Sequence, residues 1–209
     1  MLKYRNGRLF FEGRSFEDLA QGMETPFFLV SEARIRANYR ALVQGLSRSE
    51  SRSIVRYCAK TNNESGVLKI LADCGSHVLA SHPAEAGLAL ACGFIPEKIA
   101  YQRPVIRGNE IRALLEDGIT LIHAHRLQDI GIIEGVAAAL KKRVSISLRV
   151  RNDSSGSLLS PLGFLSRRMG FTESQMFLAA KRIRESKWLA LAAINIYVGT
   201  QQQAVSRYR

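Results

Sequence analysis

From Ile54 onward one hydrophobic pattern recurs: a short apolar run, a longer stretch with apolar positions at helical spacing, then a turn residue. The runs predict strands over Ile54–Ala59, His77–Ala80, Lys98–Tyr101, Thr120–His123, Arg143–Val150 and Leu189–Val198. The stretches between predict helices over Ser65–Cys74, Pro83–Ala91, Asn109–Asp117, Leu127–Leu140 and Thr172–Ser186. Pro83 falls in a first turn, and Gly75 and Gly93 follow helix ends, as helix punctuation requires. Asn152–Leu165 is rich in Ser and Gly and reads as a loop over one end of the sheet. Regular alternation with short connections means parallel strands joined by helical crossovers. About six such strands are present where a closed β/α barrel needs eight, so the expected class is α/β, an incomplete TIM-like (β/α) barrel.

Before Ile54 the pattern changes. Leu2–Glu12 alternates around Asn6-Gly7, a strong two-residue hairpin signal. Ser15 opens a short helix, Thr25-Pro26 breaks it, and Phe27–Val30 reads as an apolar lead-in strand. Ser31 is an N-cap candidate for a helix over Glu32–Gly45; Arg34 stands where a capping box would need Glu or Gln. The expected organisation is an N-terminal hairpin, short helix and lead-in strand over 1–30, followed by a truncated barrel domain over 31–209.

Composition excludes more than it selects. With 46% hydrophobic and 23% charged residues the chain is ordinary for a soluble globular protein. No apolar run approaches the ~20 residues of a membrane span, and the N-terminus lacks the apolar centre of a secretory signal, so a cytoplasmic location without a membrane partner is expected. Cys58, Cys74 and Cys92 show no C-x-x-C spacing and lie in or beside apolar runs, which suits reduced buried thiols. The net charge of +12 is unusual. Its basic residues are dispersed from Lys3 to Arg209 without interleaved aromatics, which disfavours nucleic acid as a partner.

Chemistry concentrates at the end of the strand reading Ile54-Val55-Arg56-Tyr57-Cys58-Ala59-Lys60-Thr61-Asn62-Asn63. Barrel enzymes place catalytic groups at the C-terminal ends of strands, and a desolvated lysine there becomes a nucleophile. On position alone the commoner reading is a solvated strand-end lysine. His123 and His125 share a strand face, but no third ligand stands at a suitable spacing, so no metal is expected.

Taken in order, these segments resemble the fold-type III pyridoxal-phosphate decarboxylases, the family of diaminopimelate and ornithine decarboxylases with the alanine racemase/decarboxylase type of barrel. The match runs over nearly the whole chain and to the N-terminal half of the family only. Gly13–Ala20 through Thr25–Arg36 is similar to the diaminopimelate branch, and Tyr57-Cys58-Ala59-Lys60-Thr61-Asn62 resembles Tyr-Ala-x-Lys-Ala-Asn. Arg149-Val150-Arg151-Asn152 resembles Leu-Arg-Val-Asn, Arg168-Met169-Gly170-Phe171 resembles Lys-Phe-Gly-Ile, and Ile196-Tyr197-Val198-Gly199-Thr200-Gln201 resembles a strand reading His-x-Gly-Ser-Gln.

The resemblance implies pyridoxal 5'-phosphate as cofactor, a PLP-dependent amino-acid decarboxylase (carboxy-lyase) activity, and a small amino-acid substrate. Lys60 would form the internal aldimine with the cofactor. Tyr197 would stack on its ring in place of histidine, Gly199 and Thr200 would meet the phosphate, and Arg149 would set a charge near the ring. A tyrosine keeps a π-face and a threonine a hydroxyl, so both replacements preserve the physics.

Two departures stand out. His77-Val78-Leu79-Ala80-Ser81-His82-Pro83-Ala84-Glu85 replaces a pattern with an acidic residue ahead of Ser-Gly-Gly-Glu, and Ile122-His123-Ala124-His125 replaces Asn-x-acidic-Ser. The family's glycine-rich phosphate loop, its Glu-Pro-Gly-Arg strand and its C-terminal β-domain have no counterpart in the 209 residues. Residues 1–209 alone are therefore expected to be inactive and to need self-association, as a homo-oligomer, or a complementing C-terminal fragment. The alternative is a non-catalytic homologue that acts by protein-protein association through an open strand edge. Which amino acid is the substrate does not follow from these residues.

Overall fold

The computed structural model describes residues 2–48, 52–151 and 169–197. By compactness the chain divides into two units, Met1–Ser51 and Arg52–Arg209, so the boundary expected after residue 30 lies inside the first unit.

The first unit opens with the expected hairpin, β1 (Leu2–Arg5) against β2 (Arg8–Phe11), extended by a short β3 (Arg14–Ser15). Asn6 and Gly7 both take positive φ, 49° and 73°, as a tight two-residue hairpin turn requires. The Ser15 hydroxyl accepts from the Asp18 N–H at 3.1 Å and starts α1 (Phe16–Ala20). The Ser31 hydroxyl does the same for the Arg34 N–H at 3.0 Å, starting α2 (Glu32–Leu46). Ser31 also donates to Glu12. The lead-in strand expected over Phe27–Val30 does not form. An apolar run becomes a strand only where a neighbour offers backbone partners, and among the described residues this run joins no sheet. Phe27 stacks on Phe16 with ring centroids 6.4 Å apart, while Phe28 is 96% exposed.

The second unit follows the predicted alternation: β4 (Arg56–Cys58), α3 (Ser65–Asp73), β5 (His77–Ala80), α4 (Pro83–Ala91), β6 (Ile99–Gln102), α5 (Gly108–Glu116), β7 (Leu121–Ala124), α6 (Leu127–Leu140), β8 (Val144–Val150), α7 (Glu173–Glu185) and β9 (Leu189–Ile196). The six strands form one parallel sheet in sequential order, β4-β5-β6-β7-β8-β9. Sequential right-handed crossovers put every helix on one side of the sheet. Strand residues therefore sort by parity. Val78, Ala80, Ile99, Tyr101, Ile122, Ala124, Ile146 and Leu148 are fully buried toward the helices, while Arg56, Leu79, Gln102, His123, Ser147 and Arg149 stand on the opposite, concave face. The loop expected over Asn152–Leu165 lies outside the described residues. No helix is long and apolar enough to cross a membrane among the described residues.

Candidate active site

Lys60 follows β4 in a single 3-10 turn, Ala59–Thr61, whose first residue is fully buried while Lys60 is exposed. The motif around it explains the turn. The half-buried Tyr57 hydroxyl donates to the Asn62 carbonyl at 3.1 Å, and the Asn62 side-chain oxygen accepts from the Glu64 N–H at 3.0 Å as α3 begins. Tyr57 and Asn62 thus clamp both ends of the segment that presents Lys60. Burial pushes the Tyr57 phenol above its usual pKa, so it stays a hydroxyl donor.

At the far side of the sheet Arg149 leaves β8 on the concave face, with only 6% of its surface exposed. Its guanidinium lies 5.2 Å from the centroid of the Tyr197 ring, just past the end of β9. That is cation–π distance. Burial lowers the Arg149 pKa from its usual value, and the neighbouring Tyr197 acts in the opposite sense. The backbone of Arg149 is gripped by the Met169-Gly170-Phe171 turn: the Phe171 N–H donates to the Arg149 carbonyl at 2.7 Å, and the Arg151 N–H donates to the Phe171 carbonyl at 3.0 Å. Gly170, at φ 116°, passes so close that a Cβ there would sit 2.7 Å from the Arg149 oxygen. No other residue fits.

The structure thus brings Arg149 and Tyr197 together and leaves Lys60 at the same C-terminal end of the sheet, four strand positions away. At ~4.8 Å per strand that is roughly 19 Å measured along the sheet. The other two expected cofactor contacts, Gly199 and Thr200, lie outside the described residues.

Several residues near this sheet end carry no obvious sequence signal. Asp129 is fully buried and accepts from the His125 and Arg126 N–H groups, each at 3.0 Å, and from the Arg126 guanidinium at 2.7 Å, fixing the turn from β7 into α6. Glu85 accepts from the Ser81 N–H at 2.7 Å, and His82 caps α4 through Nδ1 at 3.1 Å from the Ala84 N–H. Ser147, His123 and His125 stand on the concave face, nearly or wholly buried. Among the described residues no group of three or more His, Cys, Asp or Glu could hold a metal ion.

The donor set suits the cofactor expected from the resemblance. Pyridoxal phosphate needs a primary amine, a flat surface against its ring and donors for its oxygens. Lys60 would offer the first and Tyr197 the second. The Arg149 Nε, the Ser147 hydroxyl and both ring nitrogens of His125 are buried without a hydrogen-bond partner among the described residues, which suits the third.

Comparison with known proteins shows the family. The family described as "Pyridoxal-dependent decarboxylase, pyridoxal binding domain" matches residues 32–209. The L-glutamyl-[BtrI acyl-carrier protein] decarboxylase of Niallia circulans is 28% identical over 88% of this chain and 42% of its own length. Diaminopimelate decarboxylase of Methanothermobacter thermautotrophicus is 34% identical over 69% of this chain and 33% of its own. The crystal structure of diaminopimelate decarboxylase from M. jannaschii superposes with a TM-score of 0.89 at 19% identity, over 99% of this chain and 50% of that one, a likeness that concerns the fold alone. The chain thus spans between a third and a half of the length of these relatives.

Proposed function

Since the chain belongs to the pyridoxal-dependent decarboxylases and corresponds to the pyridoxal-binding domain of that family over residues 32–209, we propose that it carries the cofactor-holding half of an amino-acid decarboxylase site in which Lys60 bears the reacting amine. When bound, pyridoxal phosphate supplies the electron sink that lets a carboxylate leave an amino-acid α-carbon. The chain's own contribution is position and field. Lys60 is exposed at a strand end, held by the Tyr57–Asn62 clamp, and so offers its amine to a ligand entering from that end. Arg149 contributes a buried cation, and Tyr197 a π-face on which a flat heteroaromatic ring can lie. Gly199 and Thr200 follow in sequence as backbone and hydroxyl contacts for a phosphate. Asp129 keeps the His125 turn rigid, so the wall opposite Lys60 does not have to order when ligand arrives.

The observation that carries this reading is the joint occurrence, on one sheet end, of the clamped Lys60 and the Arg149–Tyr197 pair. The direct test measures amine product from lysine-, ornithine-, diaminopimelate- and glutamate-like substrates with pyridoxal phosphate, with and without a co-expressed C-terminal half from a related decarboxylase. Turnover with the complement, abolished by Lys60→Ala, is expected. Turnover that survives Lys60→Ala contradicts the assignment of Lys60.

A second reading, a non-catalytic homologue acting by association, is favoured by one feature. On the helix side of β9, Leu191, Ile194 and Ile196 are 47%, 60% and 59% exposed, and the first two share a surface hollow with Phe177 of α7, itself 71% exposed. Light scattering separates the readings: a monomer with ordinary cofactor binding argues against association as the function.

A further inference from the structure

The concave face carries more polar chemistry than a lysine amine and an aromatic platform require. His123, His125, Ser147 and Arg149 are 8%, 3%, 1% and 6% exposed. Among the described residues His123 Nδ1, both His125 ring nitrogens, the Ser147 hydroxyl and Arg149 Nε have no hydrogen-bond partner. The register sets His123 directly beside Ser147, and one step further along the same face brings His125 level with Arg149. Each buried polar atom left unpaired forfeits the hydrogen bonds it would make to water. Such a group is retained most simply if a ligand supplies the missing partner.

The surrounding charges say which ligand. Acting on His123 are Arg56 from β4, Arg149 from β8 and His125 itself; acting on His125 are Arg149 and, from α6, Arg126 and Asp129. Asp129, the one acid among them, is consumed by two backbone N–H groups and the Arg126 guanidinium. Where the family pattern reads Asn-x-acidic-Ser, this strand end has the histidine pair. An ammonium group would meet the guanidinium groups of Arg56, Arg126 and Arg149 here and no carboxylate that is not already spent. Of the four, His125 alone also lines a hollow of about 240 Å³, shared with Arg126, Gly170 and Gln175.

We propose that His123, His125, Ser147 and Arg149 form a subsite for an oxyanion, the carboxylate or phosphate group of a small ligand, which binds together with a proton taken up by the histidines. The inference rests on the proposed function only for placing the subsite beside the cofactor; its chemistry is independent of decarboxylation. Without ligand, burial first, followed by His125 and then Arg56 and Arg149 for His123 and by Arg149 for His125, holds both imidazoles down at a pKa of about 4, so they are neutral in neutral solution. An oxyanion reverses the local field. The Arg149 Nε–H and the Ser147 hydroxyl then donate to it, and a histidinium adds a further charge-assisted donor.

The test uses the full chain with histidine side chains isotopically labelled, followed by NMR at about pH 6, where an ordinary histidine is already partly protonated. His123→Asn and His125→Asn identify the two signals. Inorganic phosphate, glutarate and cadaverine are titrated separately, with sodium chloride as the ionic-strength control. Movement of the two signals toward their histidinium positions with phosphate or glutarate, and with neither cadaverine nor chloride, is the expected result. Phosphate alone points to the cofactor's phosphate, glutarate alone to a substrate carboxylate. Calorimetry in two buffers of different ionisation enthalpy should show net proton uptake by the unmodified chain, so the inference does not depend on a variant folding. Signals that stay put with both anions, or that move equally with chloride, overturn it. If the histidines respond while Lys60 takes no cofactor, the proposed function fails and the subsite stands; the converse outcome removes the subsite alone.

Discussion

The guanidinium of Arg149 in β8 and the ring of Tyr197, just past the end of the adjacent β9, face each other at 5.2 Å. The contact joins two residues from separate motifs into one wall. A ring face already occupied by a cation on one side leaves the other side for a flat ligand. Tyr197→Phe keeps the face and is expected to bind pyridoxal phosphate nearly as the parent does. Tyr197→Ala removes both stacking surface and cation–π partner, worth about 1 kcal/mol, and is expected to weaken cofactor binding roughly fivefold. Fluorescence titration checks the pair; equal affinity of all three proteins would show that Tyr197 does not meet the cofactor.

Gly170 is the backbone key to the same wall. A methyl group there would press on the Arg149 carbonyl and the Arg151 N–H at 2.7 and 2.8 Å, in a φ region that L residues avoid. Gly170→Ala is expected to destabilise by about 2 kcal/mol or more in urea denaturation. Gly135→Ala, inside α6 with nothing within 4 Å of the new Cβ, is expected to be neutral or stabilising by up to about 1 kcal/mol. Equal losses at both sites would contradict the close approach of the 169–171 turn to β8.

The buried histidines set an acid limit. Their pKa is lowered from 6.5 to about 4 in the fold, so the unfolded chain binds more protons between those values. Stability is therefore complete above pH 6.5 and falls as pH drops toward 4, with a slope of up to about 1.4 kcal/mol per pH unit for each histidine. His123→Asn/His125→Asn should flatten the denaturation midpoint over that window. An unchanged acid limb would show that other groups set it.

The alternation of strands and helices was legible because each crossover buries a period-2 strand against a period-3.6 helix, and eleven successive elements repeat that rule with boundaries displaced by a residue or two, as at Ile99–Gln102. The Phe27–Val30 run was misleading because hydrophobicity says nothing about whether a neighbouring strand exists. The positions of Lys60 just after β4 and of Arg149 near the end of β8 were legible through motif order. The reasons for their surroundings were not: Tyr57 reaching Asn62, Gly170 under Arg149, and Asp129 under His125 depend on contacts that only the folded chain creates. The histidine pair was weighed as metal ligands, because sequence spacing gives a shared strand face but not the arginines and the spent carboxylate around it.

The most direct measurement of the central claim asks which lysine the cofactor finds. The chain is incubated with pyridoxal phosphate, treated with borohydride and digested, and the modified peptides are quantified by mass spectrometry. Labelling concentrated on the peptide containing Lys60, lost in Lys60→Arg and protected by a competing substrate amine, is the expected result. Labelling spread over exposed lysines such as Lys69, Lys141 and Lys181, with Lys60 no more reactive than they are, would contradict Lys60 as the cofactor's anchor.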